Sequence, residues 1–350
     1  MTEPILPPDA ALAEPAPAET DAPGGRRRRR KVAILALLAS ILGVFILFTG
    51  WYLSTRKPIN ELPVIPPIAV ADLPSFRSAA YDVSAPTGVA VDAAGDRMYA
   101  AQTSGQTVVK ILDGRGTQIG VIQPPGTTGT EHVPVYVAID PTTGDVYVSD
   151  RPAGAIYVYD RDGVYRRTFD PGADLEGWQP LGLGFGPKGD LFVTDVSGPY
   201  HRVHEFGPDG KLIQTIGAQG MLSFPNGVAV DANGLIYVAD SNNGRLVVFT
   251  PDGKQRAVIN RGPRDGDLGL PRGVAIDDQG HLFVVDASAH AVQVYEVLGE
   301  ADRTPRFIGR FGVQGTLDGA FEFPNGVAVD TRGRVYVADV ANNRVQVWTY

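Results

Sequence analysis

The stretch from Phe224 to Lys254, FPNGVAVDANGLIYVADSNNGRLVVFTPDGK, decides the fold. It parses into three short apolar runs, GVAV, LIYVA and RLVVF, separated by DANG and DSNNG and followed by TPDG. Asp, Asn, Gly and Pro supply the backbone conformations that tight turns need, and β-branched runs of this length between them read as strands. Val and Ile flank small Ala within the runs, a pattern suited to a sheet covered on both faces by neighbours. The turn and strand that end the preceding unit, PDGKLIQTI (208–216), show what a fourth strand looks like.

Working outward, the same unit recurs. PTGVAVD begins at Pro86, PVYVAID at Pro134, PLGLGFG at Pro180, PNGVAVD at Pro225, PRGVAID at Pro271 and PNGVAVD at Pro324, with spacings of 48, 46, 45, 46 and 53 residues. A repeat of this length with four short strands per unit is the signature of a β-propeller, and six units close the ring. The longest spacing places an extended hairpin loop around Leu298 to Pro305. The last unit stops after its third strand at Tyr350, whereas Phe76 to Val83 form a strand-like stretch ahead of the first unit. The expectation is that this N-terminal segment supplies the missing outer strand, joining chain start to chain end and removing an exposed edge.

The remaining segments differ in kind. Residues 1–25, rich in Pro, Ala and acids, lack the apolar content to fold and are expected to be a disordered cytoplasmic tail. Six cations follow at 26–31, Arg26 through Lys31. Residues 32–53 contain no charged side chain, and at 1.5 Å per residue they span the roughly 30 Å hydrocarbon layer, which predicts a transmembrane signal-anchor helix. The cations before it and the few after it place the N-terminus in the cytoplasm and the rest outside. Trp51 and Tyr52 fall where an outer aromatic belt is expected. Five prolines within residues 54–75 predict an extended stalk, and the propeller occupies 76–350.

Composition excludes several chemistries. With no cysteine, disulfides, thiolate metal sites and cysteine nucleophiles are ruled out. Once the basic run is set aside the remainder is acidic, against the needs of nucleic-acid binding, so no nucleic-acid partner is expected.

The strings at 224–254 and at 323–348, FPNGVAVDTRGRVYVADVANNRVQVW, resemble the NHL repeat. The resemblance extends in phase, though with weaker matches, across about residues 76–350, and it implies an all-β, six-bladed propeller without fixing an activity. In amidating lyases of this fold, zinc-binding histidines sit just after the repeat proline. Here those positions are Thr87, Val135, Leu181, Asn226, Arg272 and Asn325, so the zinc ligands are missing. Gluconolactonase-like relatives place a carboxylate and an Asn around a divalent ion; Asn226 and Asn325 match the neutral part, with no acid partner evident in the sequence.

Asp150, Asp195, Asp240, Asp286 and Asp339 recur at the end of each second strand, with Gln102 in the first blade. Their single spacing, often with an arginine downstream (Arg202, Arg245, Arg344), reads as turn-capping carboxylates rather than a metal ring. A second set, Asp92, Asp140, Asp231, Asp277 and Asp330, precedes Gly and reads as turn chemistry. His201 and His204 in HRVH face opposite sides of a strand and cannot share one ion. No catalytic residue, metal site or cofactor is assigned. The candidate ligand site is the mouth of the central channel, where Asn226, Arg272, Asn325 and Thr87 open the innermost strands and are expected to point into solvent. The functional expectation is a single-pass membrane protein with an extracytoplasmic binding or scaffold propeller for a protein or small anionic ligand at the cell envelope. The alternative is an envelope hydrolase or lyase with a divalent metal in the channel.

Overall fold

A computed structural model describes residues 73–126, 132–297 and 304–350. The expected helix at 32–53, the tail and basic run before it, Trp51 and Tyr52, most of the stalk and residues 298–303 of the long hairpin loop lie outside these residues. Among the described residues, no helix is long and apolar enough to cross a membrane.

Twenty-four strands form six antiparallel sheets of four, one sheet per repeat. Blade one is Pro86–Val91, Arg97–Gln102, Val109–Asp113 and Gln118–Ile122. Blades two to six begin their innermost strands at Pro134, Pro180, Pro225, Pro271 and Pro324. Blade six takes its fourth strand from the other end of the domain: Ser75–Ala80 pairs with Arg344–Thr349, with Phe76 opposite Trp348 and Ala80 opposite Val345. The strand ends three residues earlier than the run Phe76 to Val83, and Val83 is instead buried in the seam between blades six and one.

Strand periodicity builds the core. In Ile236–Asp240 of blade four, Ile236 and Val238 join the cluster shared with blade three, while Tyr237 and Ala239 join the one shared with blade five. Successive side chains of a strand point to opposite faces, so a strand flanked by two blades is apolar on both. Six such clusters result among the described residues, one for each seam between neighbouring blades.

The pairing register places all six repeat prolines on one face. Pro134 lies opposite Asp150, Pro180 opposite Asp195, Pro225 opposite Asp240, Pro271 opposite Asp286 and Pro324 opposite Asp339, with Pro86 opposite Gln102. Both candidate residue sets therefore lie on this proline face.

Candidate functional site: the proline face and its axial ring

The innermost strands approach one another through glycine. In five blades the second residue after the proline is Gly88, Gly182, Gly227, Gly273 or Gly326. A Cβ on Gly227, Gly273 or Gly326 would lie 2.6 Å from the carbonyl oxygen of Arg272, Asn325 or Thr87 in the next blade, far inside contact distance. Any side chain there would force the inner strands apart.

Blade two breaks this rule with Tyr136. Its hydroxyl donates to Asn226 Oδ1 of blade four at 2.8 Å and accepts from Asn325 Nδ2 of blade six at 3.3 Å. Asn325 Nδ2 also donates to the Thr87 carbonyl at 2.8 Å. Blades two, four and six alternate around the ring, so three side chains drawn from them meet at its axis. Tyr136 thus acts as a plug. Burial pushes its hydroxyl well above the ordinary phenol range, and the opposing pull of the Arg272 charge and the Asn325 bond does not reverse this. The hydroxyl stays protonated and keeps donating.

These contacts change the reading of the mouth. Asn226 does not point into solvent: it is 3% exposed, and its amide oxygen is taken by Tyr136. Asn325 and Thr87 are half-buried and tied into the ring, the Thr87 hydroxyl donating to the Val135 carbonyl at 3.0 Å. Arg272 differs from the other three. It is half-buried, its charge acts on Tyr136, and no carboxylate of the described residues lies within ion-pair distance of its guanidinium. Tyr136 was not singled out from the sequence, although a signal was present: one Tyr where five repeats have Gly.

The recurrent aspartates reach back to the preceding loop. Asp240 Oδ1 accepts from Ser223 N–H at 2.7 Å, and Asp339 Oδ1 from Glu322 N–H at 2.7 Å. Asp150 accepts from Val133 N–H, Asp195 from Gln179 N–H, and Asp286 from Gly269 and Leu270 N–H. Gln102 does the same for Ser84 N–H. Arg245 Nε bonds Asp240 at 2.7 Å and Arg344 Nε bonds Asp339 at 2.8 Å. Arg202 does not join Asp195. That carboxylate is met by His204 Nε2 at 3.3 Å, while Arg202 lines a cleft of about 240 Å³ with Trp178, Tyr200 and His204.

The histidines have separate duties. His132 bonds Asp150, His281 bonds Asp277, and His204 bonds Asp195 and Thr215. His201 and His290 accept through Nδ1 from the N–H of Phe224 and Phe323, whose φ values of 53° and 50° are unusual for bulky residues. Each Phe immediately precedes a repeat proline, so these imidazoles hold the strained entry to an innermost strand. Among the described residues, no group of three or more potential metal-binding side chains is gathered.

The family described as NHL repeat matches residues 222–249, 268–295 and 321–348. Three of the six blades are NHL repeats. Over 229 residues the chain is 30% identical to NHL repeat-containing protein 3 of Mus musculus, covering 61% of this chain and 50% of that protein. The chain therefore spans half the length of that relative. Among solved structures, one titled "Streptogramin B lyase structure" aligns with TM-score 0.54 at 17% identity, covering 79% of this chain and 96% of the other. Another, titled "Crystal structure of Nidogen/Laminin Complex", aligns with TM-score 0.51 at 20% identity over 64% and 83%. At such identities the likeness concerns the fold, which carries both a lyase and a partner in a protein complex.

Proposed function

We propose that this NHL-type propeller is a membrane-anchored, extracytoplasmic binding scaffold that receives a protein or small anionic ligand on its proline face at the cell envelope. The observation that carries the reading is Arg272, a guanidinium without a carboxylate partner among the described residues, beside an axis plugged by Tyr136. A guanidinium so placed offers charge-assisted hydrogen bonds to a carboxylate or phosphate, and the plug confines the encounter to the face. The six post-proline positions hold one cation, two amides, one hydroxyl and two apolar side chains, a poor donor set for a divalent cation.

The test begins with the full chain in detergent, screened by thermal shift against small carboxylates and phosphates and used as bait in envelope extracts. For ligands so found, Arg272→Ala is expected to weaken binding about ten- to a hundredfold, the worth of one charge-assisted hydrogen bond of roughly 1.5–3 kcal/mol. Undiminished binding of every ligand would place the working surface elsewhere. A stoichiometric divalent ion retained on purification would favour the hydrolase or lyase reading.

A further inference from the structure

The repeats supply an internal comparison. In blade six, Arg344 opens the third strand opposite Asp339, and its guanidinium is held on all sides: Nε to Asp339 Oδ2 at 2.8 Å, Nη1 to Asp318 Oδ1 at 3.0 Å, Nη2 to the Leu317 and Ala320 carbonyls at 2.7 Å each. Blade four repeats the device, with Arg245 on Asp240 and on the Met221 carbonyl at 2.7 Å. In blade five the residue opposite Asp286 is Ala291.

The surroundings nevertheless match. The loop Arg264-Asp265-Gly266-Asp267-Leu268 aligns residue for residue with Leu317-Asp318-Gly319-Ala320-Phe321, each running directly into the tripeptide that ends in the repeat proline, Gly269-Leu270-Pro271 or Glu322-Phe323-Pro324. Asp286, Asp265 and the carbonyls of Arg264 and Asp267 thus correspond to the four acceptors that hold Arg344. Where blade six has a guanidinium, blade five has a cavity of about 310 Å³ lined by Arg264, Asp265, Asp267, Asp286, Ser288 and Gln293, among others.

Two observations say what this cavity takes. Asp286 is 2% exposed, and no cation of the described residues lies within ion-pair distance of it. Gln293 is 3% exposed, and its Oε1 is buried without a hydrogen-bond partner. Its counterpart Gln346 is fully used, donating to Asp339 and the Ala320 carbonyl and accepting from Gly319 N–H. A buried acceptor without a donor, beside a buried carboxylate without a cation, calls for a group that is both cationic and rich in N–H donors.

We infer that the blade-five cavity is a receptor for a guanidinium, the side chain of an arginine carried by a protein partner, which docks in trans as Arg344 docks in cis. The planar fork matches a carboxylate flanked by carbonyls, whereas an ammonium satisfies the charge with fewer directed donors. Arg264 bonds Asp267 through Nε at 3.1 Å and neutralises it, leaving Asp286 and Asp265 for the ligand. Arg310, opposite Gln293 on the fourth strand, adds a repelling charge on the wall. The site does not involve Arg272, so the two readings stand or fall separately.

The test titrates the full chain calorimetrically with the capped tripeptide acetyl-Gly-Arg-Gly-amide, its citrulline isostere and free arginine. Saturable binding of the arginine tripeptide is expected, with the citrulline peptide at least tenfold weaker. Ala291→Arg should fill the cavity from within, raise the melting temperature and abolish binding. Gln293→Val, which installs the residue blade four carries as Val247, should weaken binding several-fold without lowering the melt, and Arg310→Ala should tighten it. No saturable binding of the tripeptide, equal binding of the citrulline peptide, or unchanged binding in both Ala291→Arg and Gln293→Val overturns the site. Tighter binding of free arginine than of the tripeptide overturns the assignment to a protein partner. If Ala291→Arg does not fold, the Gln293→Val and citrulline arms decide alone.

Discussion

Tyr136 illustrates how one residue alters a symmetric frame. Five glycines let the inner strands touch, and the sixth position sends an aromatic ring to the axis, where Asn226 and Asn325 bond its hydroxyl. Tyr136→Phe keeps the ring but strands the buried Asn226 oxygen, an expected loss of about 1–3 kcal/mol in denaturant melts. Asp195 carries a second prediction at this scale. Burial pushes its carboxyl up, but the bonds from His204, Gln179 N–H and Ser197 outweigh burial and hold it below the usual carboxylate range. A folded-state value below the unfolded one adds stability that is fully present above about pH 4 and fades as pH falls through the folded value. Urea melts of wild type and Asp195→Asn are therefore expected to converge as pH drops below about 4.

Among the elements, the strand Ser75–Ala80 carries the ring closure. It supplies the outer edge of blade six through backbone pairing with Arg344–Thr349, and Phe76 meets Trp348 edge-on at 5.9 Å. Deleting residues 75–80 leaves a row of unpaired backbone groups and uncovers Trp348. The expected outcome is a melting temperature lower by several degrees, since about 1 kcal/mol moves a domain of this size by roughly 2–4 °C, together with concentration-dependent aggregation in light scattering. An unchanged, monodisperse melt would mean that this edge tolerates exposure.

For the molecule as a whole, the proposal places the propeller outside the membrane, tethered by residues 32–53. Protease added to intact cells is then expected to cut the stalk near Pro63 and release the propeller into the medium, as followed by an antibody to the C-terminal blades. Protection of the stalk until the membrane is breached would reverse the orientation. The NHL repeats and the six-fold architecture do not depend on that outcome, because each seam is held by its own buried cluster.

What the sequence determined by itself was the repeating frame: strand runs between turn residues, six repeat prolines, and the outer strand borrowed from the N-terminal side. These are local signals, set by backbone preferences and a period of two, and they recur every 45 to 53 residues. Only the tertiary structure decided what meets at the axis and in the seams. Tyr136, Asn226 and Asn325 are 90 and 189 positions apart, and no local rule brings them together. The post-proline spacing put Asn226 at the mouth, but whether its side chain faced water depended on a tyrosine from another blade. Likewise, Ala291 is unremarked in the sequence. It gains meaning beside Asp286 and Gln293, because the shape and charge of a cavity belong to the residues around it and not to the one that leaves it open.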